Sequence, residues 1–191
     1  MKAFLVFAAV LLATPAMAAD PQSGPYGSLP SSPVPQPLLS EVRFGAYVHD
    51  PLSPERGSAD LNGEVLLAPW TFDPNGWSFL VPRVHVGVTG NLGGKTSHAD
   101  LGFTWTYDVT RSIFTEATLG GAVHDGSTGS APAPGHNALG CNPLFRESAS
   151  LGYRINATWS VMAIIEHMSN AGLCAQNRGL TNAGIRLGYA F

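Results

Sequence analysis

Apolar and polar residues alternate along most of this chain with a period of two. From residue 41 onward, Val42, Phe44, Ala46 and Val48 share one parity while Glu41, Arg43, Gly45, Tyr47 and His49 share the other. This is the pattern of a strand with one apolar and one polar face. It returns near 60–68 and again at 82–91, where Pro82, Val84, Val86 and Val88 oppose Arg83, His85, Gly87 and Thr89. At 99–108, Ala99, Leu101, Phe103, Trp105 and Tyr107 oppose Asp100, Gly102, Thr104, Thr106 and Asp108. Further strands fit 113–124, 145–154, 158–169 and 182–191, so the pattern predicts about eight strands of the length that tilted membrane strands need.

A water-soluble barrel would alternate in the same way. Two features point to a membrane instead. Phe103, Trp105, Tyr107, Tyr153, Trp159, Tyr189 and Phe191 lie on the apolar parity, often near strand ends, as girdles at lipid interfaces do. The opposite parity carries Arg43, Arg83, His85, Asp100, Glu116 and Arg186, too many charges for a dry core. The last segment, Ile185, Leu187, Tyr189 and Phe191 alternating with Arg186, Gly188 and Ala190, resembles the terminal strand that barrel assembly machinery recognises in outer-membrane proteins. The expected fold is all-β, an eight-stranded antiparallel transmembrane β-barrel of the bacterial outer membrane, occupying residues 40–191.

No segment offers the roughly 18 apolar residues that a spanning helix requires. Within lipid only a helix or a closed barrel satisfies every backbone N–H and C=O, so a membrane location demands the barrel. The 22 glycines and near-neutral mean hydropathy agree with it. Residues 1–18 have the layout of a secretory signal peptide: Lys2, an apolar run from Ala3 to Ala13, then Ala16-Met17-Ala18. Removing them turns a net charge of -3 into an acidic excess of four, which suggests no nucleic-acid partner. Residues 19–39 form a Pro-rich leader, with Pro21, Pro25, Pro30, Pro33, Pro35 and Pro37 among serines and glycines.

An even strand count puts both barrel ends on the periplasmic side, which makes 50–59, 91–97, 125–144 and 170–181 the external loops. Cys141 and Cys174 fall in the last two. In an exported chain the expected reading is a disulfide clipping those loops together, with two free thiols as the alternative. Their spacing is no metal motif. His49, His85, His98 and His124 mostly follow the lumenal parity, where a hydrated polar network is expected rather than a metal site. Gly90–Thr96 only superficially suggests a phosphate loop, and Arg56, Lys95 and Arg178 are read as solvated loop charges.

The segment 158–169 breaks the polarity rule at its outer end. Trp159, Val161, Ala163 and Ile165 set the lipid-facing parity, and its continuation carries His167 and Ser169. A polar group facing lipid is a functional hypothesis by default. Residues two apart on one strand face lie about 6.5 to 7 Å apart at Cα, within reach of an imidazole–hydroxyl contact. His167 is therefore expected to serve as base for a nucleophilic Ser169 at the level of the outer leaflet.

The string His167-Met168-Ser169-Asn170-Ala171-Gly172-Leu173, followed by Asn177 and Gly179, resembles the lipid A deacylases of the outer membrane, also called acyloxyacyl hydrolases. The resemblance implies an esterase that removes an acyl chain from lipid A of lipopolysaccharide, using no metal or other cofactor. It also implies His167 and Ser169 as the catalytic pair and Asn170 as part of the oxyanion hole. Where the family carries a Glu to orient the histidine, this chain has Thr181. By parity Glu147 is expected to replace it. A hairpin turning around Asn156 would set Tyr153 against Trp159, Ala149 against Ala163 and Glu147 against Ile165, leaving Glu147 diagonal to His167. Glu166 is rejected because it lies on the lumenal parity. The rival reading is a non-enzymatic barrel of adhesin or structural type; a conduit is weak because eight strands leave no open pore.

Edman sequencing of the membrane-extracted protein is expected to start at Ala19. An intact Met1 or Lys2 terminus would show that the leader peptide is retained.

Overall fold

In the computed structural model, which describes residues 38–69 and 80–191, the alternating segments form one closed barrel. The strands are β1 (Leu39–His49), β2 (Ser58–Leu67), β3 (Arg83–Asn91), β4 (His98–Asp108), β5 (Ile113–His124), β6 (Leu144–Arg154), β7 (Trp159–Ser169) and β8 (Leu180–Ala190). Each pairs antiparallel with its sequence neighbour, and β1 pairs with β8 to close the ladder. Among the described residues no strand edge remains to meet lipid unsatisfied. The signal peptide and nearly all of the leader lie outside the described residues.

The two parities separate as the pattern predicts. Phe44, Leu61, Val88, Leu101, Leu119, Leu151, Ile165 and Ile185 face outward, exposed to what would be lipid. Trp159 stacks edge-on against Tyr189, 5.0 Å between ring centres, and Tyr189 against Phe191 at 5.3 Å. These rings lie at the periplasmic ends of β7 and β8 and are three of the seven aromatic residues expected at the lipid interfaces.

The lumen is filled by ion pairs. Arg43 donates to Glu41 at 2.8 Å, to Glu64 at 3.1 Å and to Glu116 at 2.8 Å. Arg186 meets Glu64 at 3.0 Å, Arg146 meets Glu166 at 2.7 Å, and Arg83 bridges Glu41 and Glu116. A buried charge is tolerable only when paired and hydrogen-bonded, and each arginine here holds several acceptors. Glu64, His85 and Asp100 bring their ligand atoms within 4.8 Å of one another. Arginines already stand among them: Arg146 Nη1 lies 3.5 Å from Asp100 and 3.4 Å from His85 Nε2, while Arg43 and Arg186 hold Glu64. Ion-paired side chains thus make up much of the polar interior.

One register differs from expectation. Tyr153 stands opposite Val161, Ala149 opposite Ile165 and Glu147 opposite His167, two residues beyond the predicted pairing. The turn explains it. Asn156 Oδ1 accepts the backbone N–H groups of both Thr158 and Trp159, at 2.9 and 2.8 Å. Such an Asx turn puts Asn156 before the tip rather than at it.

The external end is closed by its own loops. Leu139, from the loop 125–143, inserts among Ala122, Leu144, Met168 and Leu180, all buried. Cys141 and Cys174 are joined, 6.1 Å apart at Cα, tying that loop to 170–179. Glu55, fully buried in the loop 50–57, accepts from His49 Nε2 at 2.9 Å, from Thr96 N–H and hydroxyl at 3.0 Å, and from Asn137 N–H at 2.8 Å. Burial alone would raise the Glu55 carboxyl, but these hydrogen bonds outweigh it and hold it down at about 2.

A carboxyl held below its ordinary value of 4.5 stabilises the fold fully above that pH, and the contribution is lost as pH falls towards 2. Pepsin, scaled to an unfolded control, is therefore expected to begin cutting 50–57 and 134–140 as pH drops from about 4.5 to 2, with the barrel intact. In Glu55→Gln cutting should already be fast at about pH 4.5. Equal resistance of both proteins across that window would show that Glu55 does not hold the loops.

Candidate active site

His167 and Ser169 sit at the outer end of β7, on the lipid-facing parity and both half-buried. The ladder fixes their neighbours. His167 is directly opposite Glu147 on β6 and Thr181 on β8, and Ser169 is opposite Phe145. Three polar residues on three adjacent strands thus form one row across an otherwise apolar wall.

The imidazole turns towards β8. Its Nδ1 lies 2.8 Å from Thr181 Oγ1. Glu147 is nearer to His167 in the ladder than the diagonal placement predicted, but it is exposed to the lipid side. Among the described residues no hydrogen bond or ion pair joins it to the ring. The contact expected of Glu147 is therefore made by Thr181, because the two flanking strands compete for the same nitrogen. His167 and Ser169 are likewise not hydrogen-bonded to each other among the described residues; such catalytic contacts often close only with substrate bound.

Gly179 packs on the imidazole. It has φ of +69°, and a Cβ there would lie 2.9 Å from His167 Cε1 and 3.3 Å from Nε2. Glycine satisfies both demands, a left-handed backbone and the close approach.

Asn170 behaves differently from its assigned oxyanion role. It is buried, its Nδ2 donates to Leu139 O at 2.8 Å and to Gln176 O at 2.6 Å, and its Oδ1 accepts from Gly172 N–H. Its own backbone N–H is taken by Asn177 Oδ1. Asn170 could steady an oxyanion only by giving up one of these bonds. In this conformation it pins the loop that follows the serine.

Sequence reasoning passed over two residues here. Asp50 accepts the Thr181 N–H at 3.1 Å through Oδ1 and the Asn137 side-chain amide through Oδ2. Asn137 also donates to Gly179 O at 3.2 Å. Neither residue belongs to a periodic segment, so nothing in the alternation marks them. Arg178, read as a solvated charge, lines a cleft of about 280 Å³ with Asp50, Ile165, Thr181 and Ala183, and donates to Leu52 O. Lys95 donates to Gly135 O.

Residues 68–190 match the family described as Lipid A 3-O-deacylase (PagL). Among solved structures, the barrel is similar to the crystal structure of the outer membrane enzyme PagL, with a TM-score of 0.61 and 19% identity over 80% of this chain and 100% of that one. It is also similar to a de novo designed transmembrane β-barrel, with a TM-score of 0.52 and 13% identity over 82% and 98% of the two chains. A search of curated protein sequences finds no match. At these identities the structural likenesses speak for the fold, and the match over 68–190, more than half of the chain, speaks for the family. The chain belongs to the lipid A 3-O-deacylase family and is an outer-membrane β-barrel hydrolase that deacylates lipid A.

Proposed function

We propose that lipid A deacylation by this chain is serine esterase chemistry carried by His167 and Ser169 on the lipid-facing wall. The observation that carries this reading is the bond from His167 Nδ1 to Thr181 Oγ1, with Gly179 against the same ring. When Nδ1–H donates to the threonine hydroxyl, Nε2 is left with its lone pair, the tautomer a general base needs. A nucleophile beside such a base is activated without a metal.

The steps balance simply. His167 Nε2 takes the Ser169 Oγ proton as Oγ bonds to the ester carbonyl carbon of an acyl chain on lipid A. The tetrahedral intermediate collapses, the ester C–O bond breaks, and the sugar alkoxide leaves with the proton from His167. Water, deprotonated by the same nitrogen, then adds to the acyl carbon, the C–Oγ bond to Ser169 breaks to release the fatty acid, and His167 returns the proton to Oγ. In the turn that follows Ser169 the N–H groups of Asn170, Gly172, Leu173 and Cys174 already have acceptors, which leaves the Ala171 N–H, among the described residues, as the backbone donor open to an oxyanion. The position of the pair suits this substrate, because ester-linked acyl chains of the outer leaflet run past the outer end of β7.

Insertion of the exported chain by the barrel assembly machinery completes the proposal, after removal of residues 1–18 and with 19–39 left as a periplasmic leader. A non-enzymatic adhesin-type barrel is not favoured, given the family to which the chain belongs.

Mass spectrometry of lipid A from cells producing the protein is expected to show a species lighter by one hydroxyacyl chain. Ser169→Ala and His167→Asn should each lower its rate of formation by at least about 10³-fold, with folding confirmed by the heat-dependent gel shift of barrels. Persistent deacylation by folded Ser169→Ala would overturn the serine mechanism.

A further inference from the structure

The imidazole of a hydrolase pair works best beside a negative charge, which holds its tautomer and stabilises its protonated form. Thr181 provides a hydroxyl and no charge. Two carboxylates stand nearby: Glu147, across the ladder on β6, and Asp50, from the loop after β1. Arg178 shares the cleft with Asp50, and Glu166 on the same strand as His167 points into the lumen, where Arg146 and Asn182 hold it.

Asp50 is the better built of the two. It is 5% exposed, although it lies beyond the last residue of β1. Its φ of +36° lies in the left-handed region, a conformation few non-glycine residues adopt but aspartate tolerates. That twist carries the side chain across the barrel seam to β8. There Oδ1 accepts the N–H of Thr181, the residue that holds His167, while Asp50's own N–H donates to Asn182 Oδ1 at 3.1 Å. Oδ2 is held by Asn137, which is 1% exposed and also fixes the carbonyl of Gly179, the residue against the ring. One buried carboxylate is therefore bonded directly to Thr181 and, through Asn137, to Gly179, the two groups that set the imidazole.

We propose that Asp50 is the acidic positioning residue of this site, acting on His167 through Thr181 and so taking the part of a carboxylate that residue 181 does not supply. The inference rests on the serine hydrolase reading above. Because the charge acts through an intermediary, its loss slows turnover without abolishing it. It leaves lipid A binding alone, since Asp50 is 5% exposed at the cleft it lines and its two carboxylate oxygens are taken by Thr181 and Asn137.

The test uses the full-length protein in mixed micelles with purified lipid A. Asp50→Asn is expected to lower kcat by about 10- to 100-fold with KM unchanged, the range seen when a partner that orients a functional side chain is lost. Adding Thr181→Glu, which sets a carboxylate directly opposite His167, is expected to recover most of that loss. A merely structural role for Asp50 predicts no such rescue, since Thr181→Glu restores none of the bonds to Asn137 or Asn182. Full kcat in Asp50→Asn, or a loss that Thr181→Glu leaves unrepaired, overturns the proposal. Ser169→Ala run alongside separates the two levels: an inactive Ser169→Ala with a fully active Asp50→Asn removes only the positioning role, whereas an active Ser169→Ala removes the hydrolase reading beneath it.

Discussion

The absence of water from the hydrocarbon layer governs this molecule. Every backbone N–H and C=O within it must find a partner in the protein, which forces a closed ladder and leaves each side chain only two destinations, lipid or lumen. Closure through β1 and β8 meets the first demand. The ion pairs of Arg43, Arg146 and Arg186 meet the second, because an eight-stranded lumen is too narrow for bulk water to solvate its charges. The interior is consequently a packed polar core that supports the wall, and the site proposed for the chemistry lies on the outside.

That division makes the lipid-facing row Glu147, His167 and Thr181 conspicuous. It lies where β6, β7 and β8 emerge and where three external loops converge. Asn170 ties the turn after Ser169 to Leu139 and Gln176, the Cys141–Cys174 bond joins the same two loops, and Asn137 reaches from 125–143 to Asp50 and Gly179. A membrane enzyme of this kind needs a site that is open to lipid yet rigid, and rigidity comes from behind, from polar groups buried under the loops.

Much of this was legible in the residues because a strand's period of two is local. Val42 to His49 announce β1 by themselves, and continuing the parity of Trp159 to Ile165 puts His167 and Ser169 on the lipid side whatever the other strands do. What was not legible depends on contacts between distant segments. The register of β6 on β7 turned on whether Asn156 sits at the tip of its turn or before it, a matter of one side-chain hydrogen bond acceptor. Asn170 reads as a site residue from its neighbours in sequence, and only the folded loops reveal that its amide is spent on Leu139 and Gln176. Asp50 and Asn137 lie in loops with no periodicity, more than 80 residues apart, and nothing short of the closed barrel brings them together.

The claim that chemistry occurs at Ser169 on the lipid face can be tested by covalent trapping. A lipophilic fluorophosphonate added to the protein in lipid A-containing vesicles should modify one residue, Ser169, found by peptide mass spectrometry. Labelling should disappear in His167→Asn and should stop deacylation in proportion to its extent. Full loss of deacylation with Ser169 unmodified, or continued deacylation with it fully modified, would contradict the assignment.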